Sequence, residues 1–285
     1  PRTGCLAENV YQACLTPDLV YRGVYSQTPK NASFSAGLLG YLGYPTEDET
    51  LRPFMEDIFN TWLSKKHETK HLRVIDGRVR RCASQEGYAI WCSLRLGFAD
   101  TRTEELVGHL LKWQWPDGGW NCDKVPEAYT SSFMETLIPL RALGLYAKVT
   151  RDTKARVAAE RATEVFLQRQ LFKSRRDGQV INQSFVMLHY PCYWHYDILF
   201  GLKVMAESGF IHDPRCAAAL ALLESKCQPD GGFPAEESFA RTNRPQLSGF
   251  SPVKWGRTSK KTINPFVTAD ALYVLKMAGR LPEAV

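Results

Sequence analysis

The 285-residue chain contains no Cys-x-x-Cys pair, and its eight cysteines, at 5, 14, 82, 92, 122, 192, 216 and 227, are scattered along its length. This excludes a paired-cysteine zinc motif and the framework of a small disulfide-stapled protein. Most of the thiols fall within apolar helical patterns and are expected to be reduced core residues. No run of about 18 uninterrupted apolar residues is present, so no membrane-spanning helix is expected. The chain does not open on a secretory leader pattern, and the expected location is the cytoplasm, with peripheral membrane contact left open. No segment alternates apolar and polar residues at the period of two that a half-buried strand requires. Excess charge is also modest, at +6 net. The one dense basic run, Lys173 to Gly178, reads as a solvated turn, and no nucleic-acid partner is expected.

What is present is a repeat. "WPDGGW" (Trp115 to Trp120) recurs as "QPDGGF" (Gln228 to Phe233), with weaker echoes at Asp76-Gly77 and Asp177-Gly178. These positions lie about 40–60 residues apart, the period of a helix pair with insertions. Before such turns come stretches with charge on one face: 101–114, 154–172 and 213–228. Other stretches carry few charges: 82–97, 131–146, 193–209 and 266–279. The first kind reads as half-exposed helices and the second as helices buried on most faces. Residues 47–66 read as a further exposed helix, and 5–15 and 33–43 as buried ones. An economical packing sets the buried helices in an inner ring and the exposed ones in an outer ring. The expectation is a single all-α domain over 1–285, an α/α toroid whose repeats are clearest over 76–279. Asp-Gly and Gly-Gly supply positive φ angles, so the repeated turn reads as a structural joint. The stretch 234–265 lacks periodicity and is long for a loop, and it could lid a cavity. Its basic part, 254–261, could meet a diphosphate or an acidic surface.

"QWPDGGWNC" and "CQPDGGFPAE" resemble the QW-type repeats of the squalene–hopene cyclase and protein-prenyltransferase β-subunit superfamily. The resemblance implies a cavity inside the helix ring, lined by aromatics and holding an isoprenoid chain or a lipidated peptide. It also marks departures. The cyclases carry an Asp-x-Asp-Asp run; in "FVTADALYVL" only Asp270 matches, and Val267 and Ala269 occupy the other acid positions. The prenyltransferases hold zinc with an Asp and a Cys two residues apart and a distant His. Cys192 falls near the thiolate position, but Tyr190 stands where the Asp belongs and "NPF" (264–266) brings no His. The Cys-Gly-Glu-Gln run of the thioester-bearing complement domains is absent.

Acids at the starts of buried helices face a low-dielectric interior, which can keep a carboxyl protonated for acid-initiated cyclisation or isomerisation. Asp197, His195, Glu135 and Asp270 are the candidate acids and orienting partners, with Gln85 and Glu86 in the same polar set. His195 and Asp197 could equally cap or tie helices, and Glu135 could form a capping box with Ser132. Aromatic faces would stabilise a cation. Tyr193, Trp194, Tyr196, Trp91, Tyr88, Phe133, Phe200, Phe266 and Tyr273 are the candidate lining, with core packing the competing role for each. No cofactor is expected. A zinc-dependent transferase using Cys122, Asp123 and His195 is the alternative, followed by a non-catalytic lipid- or peptide-binding toroid and, more remotely, a carbohydrate-active toroid. The expected partner is a small apolar molecule.

Overall fold

The computed structural model describes residues 36–70, 72–240, 250–251 and 254–281. The expected helix at 5–15, the start of the one at 33–43 and part of the 234–265 loop lie outside the described residues. What is described is mostly helical. A helical segment at 36–41 is followed by α1 (Arg52–Trp62), α2 (Lys65–Lys70), a hairpin of β1 (Arg73–Ile75) and β2 (Arg78–Arg80), α3 (Ala83–Leu96), α4 (Thr101–Trp113), α5 (Phe133–Thr150), α6 (Thr153–Leu167), α7 (Ile198–Glu207), α8 (Ala217–Glu224) and α9 (Pro265–Met277).

The two expected classes of helix are both present. In α3, α5 and α7 buried residues occur on nearly every face. In α4 and α6 they form one stripe, because charged residues occupy the remaining positions of the 3.6-residue period. Each element has its own punctuation. Asp100 and Thr103 form a capping box on α4, Asp152 caps α6 through Ala155 N at 2.7 Å, and Gly97 ends α3 in the left-handed region. Helix α3 packs on α5, α5 on α7, and α7 on α9, while α1 and α4 lie against α3, α6 against α5, and α8 against α7. Where α3 meets α5, a Cβ on Gly87 would come within 2.8 Å of Pro139 N. Glycine on one helix and a proline without an N–H on the other permit this close approach.

The repeated turn is the same joint twice. Trp115 N donates to Gly119 O at 2.8 Å and Gln228 N to Gly232 O at 2.8 Å. Trp120 N donates to Thr136 Oγ1 at 3.1 Å, and Phe233 N to Thr268 Oγ1 at 2.8 Å. Both threonines are the fourth residue of the helix that follows; the second of these, α9, was expected to be buried on most faces but buries one stripe and exposes Leu272, Tyr273 and Met277. Trp120 is also tied to the preceding exposed helix, Nε1 donating to Leu110 O. The weaker echoes differ. Asp76-Gly77, both at positive φ, is the two-residue turn of the β1–β2 hairpin, and Asp177-Gly178 closes a loop whose ends pair Lys173 with Val180.

Gly118 sits at φ +102°, and a Cβ there would meet Arg161 O at 2.3 Å. Gly118→Ala is expected to destabilise the chain by about 1–3 kcal/mol, read as a lower urea midpoint with an unchanged slope.

Candidate functional site

The candidate residues separate into distinct places. A cavity of about 510 Å³ lies between the 36–41 segment, α3, α5, α7 and α9. Of the four candidate acids and partners, only Asp270 lines it. Lys203 Nζ donates to Asp270 Oδ1 at 2.5 Å and to the Tyr41 hydroxyl at 2.5 Å, and the Tyr41 hydroxyl donates to Asp270 Oδ2. Burial, then the neighbouring Asp270, push the Tyr41 phenol well above its ordinary pKa. Both Asp270 oxygens accept hydrogen bonds, one from Lys203 and one from Tyr41.

The cavity is more cationic than the sequence suggested. Arg95, Arg141, Lys148 and Lys203 face Glu207 and Asp270 across it. Arg141, on α5, is 5% exposed. Its Nε and Nη2 grip Glu207 at 2.5 and 2.7 Å. Its guanidinium lies 4.0 Å from the Trp91 ring centroid and 5.1 Å from that of Tyr41. Burial works against its charge, but Glu207 more than compensates, so its pKa lies above the usual arginine value. Its Nη1 is buried with no hydrogen-bond partner among the described residues. Arg95 and Lys148 are exposed at the mouth. Sequence reading passed over these cations because a Lys or Arg on an apolar helix is ordinarily a snorkelling side chain. The available signal was a lone Lys or Arg within a largely apolar stretch, Arg141 in 131–146 and Lys203 in 193–209.

Trp91 and Tyr273 line this cavity. Tyr88, Tyr193 and Phe200 instead line a small apolar opening with Tyr41, Tyr190 and Cys192, where the Tyr88 hydroxyl donates to Tyr193 O at 2.7 Å. The other four candidates pack elsewhere. Phe133 and Tyr196 form one aromatic cluster with Phe166 and Phe185, and Tyr196 donates to Leu171 O. Phe266 stacks on Tyr190, and Trp194 on His195.

Asp197 and His195 have different surroundings. The expected helix from 193 begins only at Ile198, with Asp197 as its extended N-cap. Asp197 is fully buried. It accepts from Phe200 N at 2.8 Å and His189 N at 2.9 Å, and pairs with His189 Nδ1 at 3.0 Å. His195 precedes the helix, its ring stacked 3.4 Å from that of Phe239. His189 is the ionic partner of Asp197. Burial lowers the pKa of His189, but the Asp197 charge and hydrogen bond raise it by more, so it lies above its ordinary value.

Glu135 forms neither the expected capping box nor part of the cavity wall. Ser132 makes no side-chain cap, and Glu135 Oε2 instead accepts from Ser84 N at 2.9 Å, capping the neighbouring helix α3. Its Oε1 accepts from Cys122 Sγ at 3.3 Å. The metal set Cys122, Asp123 and His195 is not brought together. Cys122 groups with Cys82 and Glu135, Asp123 caps Val125 N in an exposed loop, and His195 is held by its aromatic neighbours. Glu86 is in a buried salt bridge with Arg81. The described parts of 234–265 contribute no residue to the larger cavity. They lie instead over His189 and His195, through Phe239. No helix among the described residues is long and apolar enough to cross a membrane. Comparison of the chain with known protein families, curated proteins and solved structures gives no match.

Because the folded-state pKa of His189 is raised above 6.5, its pairing with Asp197 contributes fully below about pH 6.5 and is lost as pH rises through the raised value. His189→Gln is expected to cost about 3 kcal/mol at pH 6, and the gap to the parent protein should narrow in alkaline buffer. Urea unfolding at several pH values checks this; a gap that widens with pH contradicts it.

Proposed function

We propose that the chain is a divergent, single-domain α/α toroid that binds an amphiphilic, isoprenoid-like molecule with an anionic head. The succession α3–α5–α7–α9 supports the toroid, with the amphipathic helices outside it. The 36–41 segment extends the succession: Tyr41 meets Lys203 of α7 and Asp270 of α9, and Gly40 lies against Trp91 and Arg95 of α3. The resemblance of the two Asp-Gly-Gly-aromatic joints to QW-type repeats supports the isoprenoid part of the reading.

The observation that carries the anionic head is Arg141. A buried guanidinium presents an unpartnered N–H in the wall of a cavity where four cations face two carboxylates. An unsatisfied buried donor is costly, and an anionic ligand would satisfy it with a charge-assisted bond. The volume, about 510 Å³, lies within the range of small-molecule sites, and Trp91, Tyr41 and Tyr273 offer aromatic surface to a hydrocarbon chain.

Binding is favoured over acid-initiated cyclisation or isomerisation. Each carboxylate of the cavity is already held by a cation, Asp270 by Lys203 and Glu207 by Arg141. Neither Asp197 nor Glu135 reaches the wall, so the cavity offers no poised acid. The zinc-transferase alternative loses its ligand set for the reasons given above.

The test is titration with farnesyl diphosphate and with farnesol. The diphosphate is expected to bind at least tenfold tighter, a difference of about 1.4 kcal/mol. The double variant Arg141→Met/Glu207→Gln, which leaves no widowed charge, should remove that preference while retaining farnesol binding. Equal affinity for both molecules sinks the anionic-head reading. Turnover of either one that is abolished by Asp270→Asn restores the cyclase reading.

A further inference from the structure

A cluster outside the cavity carries chemistry that the proposed binding does not use. Cys82 is the N-cap residue of α3 and makes no capping bond with its side chain. Cys122 lies in the loop before α5, and Glu135 is the third residue of α5. The three ligand atoms, two sulfurs and a carboxylate oxygen, all lie within 4.8 Å of one another, and none of the three residues is fully buried. The chain thus brings together, from positions far apart in sequence, two thiols and a carboxylate at the adjacent starts of two buried helices.

We propose that Cys82, Cys122 and Glu135 form a zinc site, two thiolates and one carboxylate on a Zn²⁺ ion whose fourth position is open to solvent.

The donor set is the chemistry that a borderline-soft divalent ion selects, and three protein ligands with one open position is a recurrent zinc arrangement. The dimensions suit it. With Zn–S near 2.3 Å and Zn–O near 2.0 Å, ligand–ligand edges of a tetrahedron are about 3.5–3.8 Å. The Cys122 Sγ to Glu135 Oε1 distance is 3.3 Å. The other oxygen of Glu135 is held by Ser84 N at 2.9 Å, an outer-shell contact that fixes the carboxylate's direction. Cys82 stands at the N-cap of α3. Binding of a divalent ion would release the thiol protons.

The other group of potential ligands, His189, Cys192 and Asp197, does not compete. The Asp197 carboxylate already accepts two backbone N–H groups and pairs with His189 Nδ1. His189 and Asp197 are closed to solvent, whereas Cys82, Cys122 and Glu135 leave an ion a way in.

The test uses the full chain, reduced, stripped with chelator and titrated with Zn²⁺ against a chromophoric chelator. The expected result is one equivalent bound, with affinity reduced at least 100-fold in Cys82→Ser or Cys122→Ser and at least tenfold in Glu135→Gln. Cobalt in place of zinc should give a thiolate charge-transfer band. Should the serine variants fail to fold, alkylation of the unmodified chain decides. Zn²⁺ should protect Cys82 and Cys122 from iodoacetamide, mapped by peptide mass spectrometry, and leave the exposed Cys227 reactive. Absence of stoichiometric binding, unchanged affinity in both folded serine variants, or protection at Cys192 in place of Cys82 and Cys122 overturns the proposal.

Discussion

A helix that begins inside a protein leaves its first N–H groups without water to bond, and most of the polar chemistry of this molecule answers that constraint. Asp197 caps α7, Asn264 caps α9 through Phe266 N and Val267 N, and Glu135 reaches across from α5 to cap α3. A carboxylate or amide at each such start satisfies a cost of about 1–3 kcal/mol per orphaned group. The acids therefore sit where the architecture needs acceptors. In the space between the helices, Glu207 and Asp270 are paired with Arg141 and Lys203.

The same constraint explains what could be read from the sequence and what could not. The order of the helices and the type of most of them were legible because charge and apolarity alternate at a helical period; α9, expected to be buried, exposes one face. The Asp-Gly-Gly-aromatic joint was legible because few backbones need two adjacent glycines. The hairpin at 73–80 was missed because three-residue strands such as Arg73–Ile75 are too short to show an alternation. At the site, an isolated acid opening an apolar helix looks identical whether it is a cap or a proton donor. Asp197 and Glu135 proved to be caps, and the difference lies entirely in which N–H groups surround them.

The cavity residues were hidden for a different reason. Arg141 and Lys203 belong to different helices, and each is the one Lys or Arg of a largely apolar stretch, 131–146 and 193–209. Only packing brings them to one space, with the partners Glu207 and Asp270 supplied by α7 and α9. The Cys82–Cys122–Glu135 cluster is likewise a property of two neighbouring helix starts, with no spacing motif in the chain to announce it.

The two joints differ in one respect that bears on how such a chain can grow. The backbone of Trp120 and the hydroxyl of Thr136 are 16 residues apart, whereas those of Phe233 and Thr268 are 35 apart. The hydrogen-bond set is the same. Closing the longer connection costs only about 0.6 kcal/mol more, since loop entropy rises with the logarithm of length. The joint thus tolerates a large insertion between its two halves at little thermodynamic expense. In a chain built this way, new segments can enter between a turn and its helix without disturbing either, and the stretch over His189 and His195 has the form of such an acquisition.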